Sequence, residues 1–305
     1  MEEGSSSVSS FLLRCGSIIT GIVSFALGLL YYKQDSLLYF PEIGGVPKRP
    51  GSNPRRYRSP SEYNIPYESH MIPTSDGASI HCWLLLHPSS ASETRKKPTI
   101  LFFHGNAGNI GLRLPNAVQM YHKLQANIAL VEYRGFGDSS DHIPSEAGLK
   151  LDAEAALHFI HSYWIEKLCT SNIYIFGRSL GGAVGFHLAQ YAERNNISLS
   201  GLMVENTFLS IGKMVDVIMP FVAPFKALIL RINWDSESIA PFLNLPVLYL
   251  AGAKDQLVPH KQMLALYKKS KAGNKSHPKT HMHVIANGTH NESWLQVRVF
   301  FAVNA

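Results

Sequence analysis

Charge is what this chain has least of. Only 16% of its 305 residues are Asp, Glu, Lys or Arg, against ~25% in an ordinary soluble protein. Hydrophobic residues reach 46%, so disorder is excluded for most of the chain. Cysteine is scarce too: Cys15, Cys82 and Cys169. An odd count with no CxxC pair gives no disulfide framework and no cysteine zinc site, and fits a reducing compartment. The net charge is +6, yet no long Lys/Arg run accompanies it. Its densest basic stretch (Lys48, Arg49, Arg55, Arg56 and Arg58) follows an apolar segment, which reads as membrane-flanking charge rather than a nucleic-acid groove. HExxH, GK[ST] and GxGxxG are all missing, so neither a metal nor a nucleotide cofactor is expected.

What is present begins with an uncharged run. Between Arg14 and Lys33 lie 18 residues, CGSIITGIVSFALGLLYY, close to the ~20 that cross a bilayer. Tyr31 and Tyr32 close it, where aromatic rings favour the headgroup level. A cleaved signal peptide competes, with Ala26 and Gly28 as a small-x-small pair, but the apolar run continues past that site. The segment is therefore expected to be a transmembrane anchor over residues 15–32, after a tail of residues 1–14. Residues 33–66, rich in Pro, Gly, Ser and Arg, are expected to form a surface linker.

The remaining stretch, 67–305, alternates short β-branched runs with helix-like ones. That alternation predicts an α/β domain with a mainly parallel central sheet flanked by helices. Strands are expected at Ser79–Leu86, Thr99–Phe103, Ile128–Glu132, Asn172–Phe176, Gly201–Val204, Val247–Leu250 and Met282–Ile285. Helices should start near Leu112, Ser145, Leu180, His260 and Glu292, and Thr74–Gly77 should turn an opening antiparallel hairpin. Residues 207–242 break the alternation: Met214, Val217, Ile218, Phe221 and Phe225 form an apolar surface interrupted by Pro220 and Pro224. They are either two packed helices or a lid over an active site.

The chemistry concentrates in NIYIFGRSLGGAVGFHLA, where Gly177-Arg178-Ser179-Leu180-Gly181 fits G-x-S-x-G between a strand and a helix. The flanking glycines let strand and helix crowd together, so that the Ser179 hydroxyl stands at the positive end of the helix. Upstream, ILFFHGNAGNIG ends a strand in a glycine-rich loop. Such a loop can aim a backbone N–H at a developing oxyanion. The N–H groups of Asn106 and Leu180 are the expected donors, with His104 and Gly105 as loop support. Serine needs a base, and the base needs an orienting acid. In the α/β-hydrolase order the acid follows a late strand and the histidine the last one, which selects Asp255 and His290. Glu205 is the alternative acid. His260, His277, His281 and His283 are weaker bases, and His281 with His283 lacks a third metal ligand.

These motifs (HGNAGNIGLRLPNA, EYRGFGDS, FGRSLGGAVGFHLA, VENTFLSI, DQLVP and GTHNESW) resemble the α/β-hydrolase family of abhydrolase domain-containing protein 13 and its bud-emergence and wavy-growth relatives. The likeness runs from about Leu37 to the end of the chain. It implies an α/β-hydrolase fold with a single N-terminal anchor, a Ser179–Asp255–His290 triad and no cofactor. Hydrolases with HGN loops include protein depalmitoylases, which adds thioesters to the substrate options. The chain stops 15 residues after His290, so a truncated last helix is expected. The expected activity is that of a membrane-anchored serine hydrolase cleaving an ester or thioester of a lipid or lipidated protein. An inactive hydrolase-fold scaffold and a serine peptidase are the alternatives. Basic residues after the span put the catalytic domain on the cytosolic side, and sequons at Asn287 and Asn291 flank His290, where a glycan would obstruct it.

Overall fold

The computed structural model describes residues 3–87, 97–166, 172–273 and 280–296. Eight strands form one sheet in the order β1-β2-β4-β3-β5-β6-β7-β8. They are β1 Tyr67–Pro73, β2 Ser79–Leu85, β3 Thr99–Phe103, β4 Asn127–Val131, β5 Ile173–Arg178, β6 Gly201–Glu205, β7 Val247–Gly252 and β8 Thr280–Ile285. Only β2 runs against its neighbours; β4, β3, β5, β6, β7 and β8 pair in parallel. The β1–β2 hairpin turns where expected, with the Thr74 N–H donating to Ala78 O and the Gly77 N–H to Thr74 O.

Continuous apolar runs mark strands covered on both faces, and every residue of β3 and β4 is buried. Alternation divides them. Leu101, Phe103, Ala129 and Val131 join a core with Leu157, Ile160 and Leu188, while Ile100, Phe102, Ile128 and Leu130 pack on Leu114, Ala117 and Tyr121. Those side chains come from three helices: α2 (Leu114–Leu124), α3 (Glu146–Glu166) and α4 (Leu180–Arg194). The remaining helices after the first are α5 (Ile211–Ile218), α6 (Lys226–Ile229), α7 (Ser236–Ile239), α8 (His260–Gly273) and α9 (Ser293–Gln296). Side-chain caps start some of them: Ser145 Oγ accepts from the Gly148 N–H, and Ser210 Oγ from the Lys213 N–H.

The N-terminal helix, α1 (Glu3–Leu38), is apolar and long enough to cross a membrane over Ser10–Leu38. Phe11, Ile18, Ile22 and Phe25 are exposed on it. The helix runs on past Tyr32. Lys33 to Leu38 continue the helix, and residues 39–66 bury Tyr39, Asn53 and Ile65 against the domain. A reciprocal amide pair contributes to this: Asn53 Nδ2 donates to Asn109 Oδ1 at 2.8 Å, and Asn109 Nδ2 donates back to Asn53 Oδ1 at 3.2 Å and to Pro47 O at 2.9 Å. Polar pairing of this kind leaves no hydrophobic period to read. Residues 207–242 form three short α-helices, α5 to α7, with 3-10 turns at Ala223–Phe225 and Ala240–Phe242; Pro220 and Pro224 both fall between α5 and α6.

The sheet order positions the site. From β3 the chain passes to β4 on one side, whereas β5 lies on the other. Loops leaving the carboxyl ends of β3 and β5 therefore face one crevice, the place where open α/β sheets bind ligands.

Candidate active site

Ser179 leaves β5 with φ 53° and ψ −119°, which a non-glycine residue holds only when its surroundings over-determine it. The surroundings here are backbone. A Cβ on Gly181 would lie 2.1 Å from Phe103 O, and one on Gly177 would lie 2.1 Å from Gly181 O. Two glycines thus let helix α4 start against the ends of β3 and β5. The Ser179 N–H donates to Glu205 O at 2.9 Å, and its carbonyl accepts from the Gly182 N–H at 2.9 Å and from Thr207 Oγ1 at 2.8 Å. Leu180 is the first residue of α4, so its N–H has no carbonyl one turn back to bond.

Asp255 and His290 meet as expected: His290 Nδ1 lies 2.8 Å from Asp255 Oδ2. The Leu257 and Val258 N–H groups, both at 2.8 Å, donate to the other carboxylate oxygen. That orients the carboxylate and leaves Nε2 as the imidazole's working nitrogen. The His290 loop is strapped to the end of β6. Asn206 Nδ2 donates to Thr289 O, His290 O and Ser293 Oγ, each at 3.0 Å, and Asn206 Oδ1 accepts from the Gly252 N–H at 2.8 Å. Asn206 adjoins Glu205, whose carbonyl holds Ser179, so both reactive side chains hang from one dipeptide. Among the described residues no hydrogen bond joins the Ser179 hydroxyl to His290; in a free enzyme such bonds commonly tighten only with substrate.

The HGN loop borders Ser179: a Cβ on Gly105 would lie 3.7 Å from Ser179 Cβ. His104 is fully buried, with Nε2 2.9 Å from Glu132 Oε1, and Glu132 Oε2 accepts from the Ile110 N–H at 2.9 Å. The Tyr133 hydroxyl donates to His104 O at 2.9 Å, and burial drives its pKa far up, keeping it a donor. The loop's outer strand is tied to the end of α1: the Phe40 N–H donates to Asn106 O at 2.8 Å, the Gly108 N–H to Phe40 O at 3.0 Å, and Asn106 Nδ2 to Leu38 O at 2.8 Å. The Asn106 carbonyl and side-chain NH2 thereby have partners, and among the described residues its backbone N–H donates to none.

The alternative acid is engaged elsewhere. Glu205 pairs with Arg178 at 2.8 Å, and Arg178 Nη2 also donates to Asn116 Oδ1. His281 and His283 stand on β8, His260 opens α8, and none of them meets Asp255 among the described residues; His277 lies outside those residues. Described residues hold no group of three or more His, Cys, Asp or Glu side chains placed to bind a metal. Sequence reasoning missed Asn206, Thr207, Glu132 and the clamp of residues 38–40. Asn206 had a signal: an asparagine directly after a strand tolerates the positive φ (50°) it adopts.

Strand order, elbow and acid–base pair together define an α/β-hydrolase. Residues 98–237 match the family described as the alpha/beta hydrolase fold, and the chain belongs to this family. It is 35% identical over 296 residues to protein bem46 of Schizosaccharomyces pombe, covering 95% of this chain and 91% of that one. With the alpha/beta hydrolase domain-containing protein WAV2 of Arabidopsis thaliana it shares 37% over 287 residues, 90% and 87% of the two chains. An uncharacterized membrane protein of Saccharomyces cerevisiae is 29% identical over 280 residues, 91% and 90% of the two. Among solved structures the esterase Pf2001 of Pyrococcus furiosus superposes with a TM-score of 0.63 at 16% identity, covering 84% of this chain and 93% of that one, a likeness of fold.

Proposed function

We propose that the chain is a membrane-anchored serine hydrolase that cleaves a carboxylic ester or thioester through Ser179, His290 and Asp255. The carrying observation is the His290–Asp255 pair at 2.8 Å, strapped to the same Glu205–Asn206 dipeptide that holds the strained Ser179. Esterase-like structural neighbours support hydrolysis at the level of the fold. In this reading Ser179 Oγ attacks the acyl carbon while His290 Nε2 takes its proton, and Asp255 stabilises the imidazolium. The N–H groups of Asn106 and Leu180 receive the oxyanion. Collapse breaks the C–O or C–S bond, and His290 protonates the departing alcohol or thiol. Water then loses a proton to His290, attacks the acyl-enzyme and releases the acid.

The substrate options are acyl esters of lipids and thioesters of lipidated proteins, presented to a catalytic domain on the cytosolic face. The test is labelling of the membrane-bound chain by an alkyl fluorophosphonate. Wild type should label and Ser179→Ala should not. Equal labelling of both would end the assignment.

A further inference from the structure

An apolar cavity of about 180 Å³ lies between α1 and the 207–242 insertion. Leu30, Leu37 and Leu38 form one wall, and Val215, Ile218 and Val222 face them. Its one polar neighbour, Gln34, is fully occupied. Gln34 Nε2 donates to Ile229 O at 2.7 Å, and its Oε1 accepts from the N–H groups of Arg231 at 3.0 Å and Ile232 at 3.3 Å. Nothing remains there to greet a polar ligand, and a half-open apolar cleft of this size takes a segment of hydrocarbon chain whose remainder lies along the exposed apolar surface.

Three observations specify the occupant. First, one residue links the cavity to the candidate oxyanion loop: Leu38 lines it, and the Leu38 carbonyl accepts from the Asn106 side-chain amide. Second, the segments that wall it carry large apolar side chains in the open, with Ile218, Phe221 and Leu228 60%, 74% and 81% exposed. Third, one wall is the end of the helix able to cross a membrane. The geometry points to a binding site for the linear hydrocarbon chain of an acyl substrate drawn from the bilayer, with the anchor helix itself as one wall of the pocket. This rests on the hydrolase reading above and deepens it. The anchor then selects substrate as well as holding the enzyme to its membrane.

The test uses the full chain in detergent micelles with a photoreactive, alkyne-tagged C16 fatty acid, and reads the crosslinked peptides. Crosslinks should fall on Leu30–Leu38 and Val215–Val222, persist in Ser179→Ala, and drop about tenfold in Val215→Trp and in Leu30→Trp, two variants that fill the cavity from opposite walls. A matched pair of p-nitrophenyl esters gives a second reading. Both fillers should lower the ratio of octanoate to acetate turnover about tenfold, a loss in the range of misfit apolar contacts. Crosslinks elsewhere, or undiminished in both fillers, would overturn the pocket. Cavity crosslinks in a chain that hydrolyses neither ester would keep the pocket and sink the hydrolase reading.

Discussion

Asn206 carries more of the site than its position suggests. Its one side chain makes four hydrogen bonds, three of them to the His290 loop and to Ser293 behind it. The residue is buried and held at φ 50°, a conformation asparagine tolerates better than alanine does. Asn206→Ala removes the side-chain donor to the His290 carbonyl and the acceptor of the Gly252 N–H, a penalty of about 1–3 kcal/mol. Urea unfolding should show that loss. Where the variant still folds, kcat on a short ester should fall with KM little changed, because the loop that carries the base has lost its strap while substrate contacts remain. A proportional loss in KM would place Asn206 in substrate binding instead. The glycines of the elbow act by a different physics: what they supply is the absence of a Cβ where two backbones meet at 2.1 Å.

At the scale of elements, the β1–β2 hairpin is pinned to the rest of the domain by Arg134. Its guanidinium donates to both Asp76 oxygens, at 2.6 and 3.0 Å, and to Asp152 of α3 at 2.9 Å. One side chain thereby joins the hairpin turn, the loop after β4 and a flanking helix. The hydrogen bonds from Arg134, aided by the Thr74 hydroxyl, hold the Asp76 carboxyl well below the usual carboxylate range. Its folded value is depressed, so the pairing contributes fully above the unfolded value of about 3.9 and is lost as pH falls through the folded one. Thermal melts of wild type and Asp76→Asn should therefore differ most between about pH 6 and 7 and converge below about pH 4. A gap that widens on acidification would reverse the sign and remove Asp76 from the account.

Across the whole molecule, side-chain contacts join the N-terminal helix to the α/β-hydrolase domain. Gln34 and Arg231 tie α1 to the insertion, Arg231 also pairs with Asp35, and Trp234 Nε1 donates to the Tyr39 hydroxyl at 2.9 Å. Burial raises the Tyr39 pKa, so that hydroxyl stays neutral. Two residues beyond the helix, Phe40 grips the oxyanion loop. A membrane positioned by α1 would therefore sit at a defined distance from Ser179. The reading places the domain in the cytosol, since Lys33, Lys48, Arg49, Arg55, Arg56 and Arg58 follow the span and only Arg14 precedes it. Exposed sequon asparagines, Asn287 and Asn291, stand on either side of His290. Translation into microsomes should yield a catalytic domain that external protease digests and that carries no glycan. A protected domain sensitive to endoglycosidase would reverse the topology.

Local chemistry is enough to read the sheet and the strand–serine–helix turn, and to nominate the candidate residues that follow the later strands. Buried parallel strands announce themselves as short apolar runs, and a serine between crowding glycines has few other structural uses. Asp255 and His290 are selected by their places after β7 and β8, and from β5 to β8 chain order is also spatial order, so their loops leave the same carboxyl edge as Ser179. The choice of Asp255 over Glu205 needed coordinates to examine, since both follow strands and only packing shows that Arg178 already occupies Glu205. The same holds for the clamp by residues 38–40, the Asn53–Asn109 pair and the cavity between α1 and the insertion. Each joins segments some 55 to 200 residues apart through polar or irregular contacts, and such contacts leave no period in the sequence because neither partner's neighbours share the constraint.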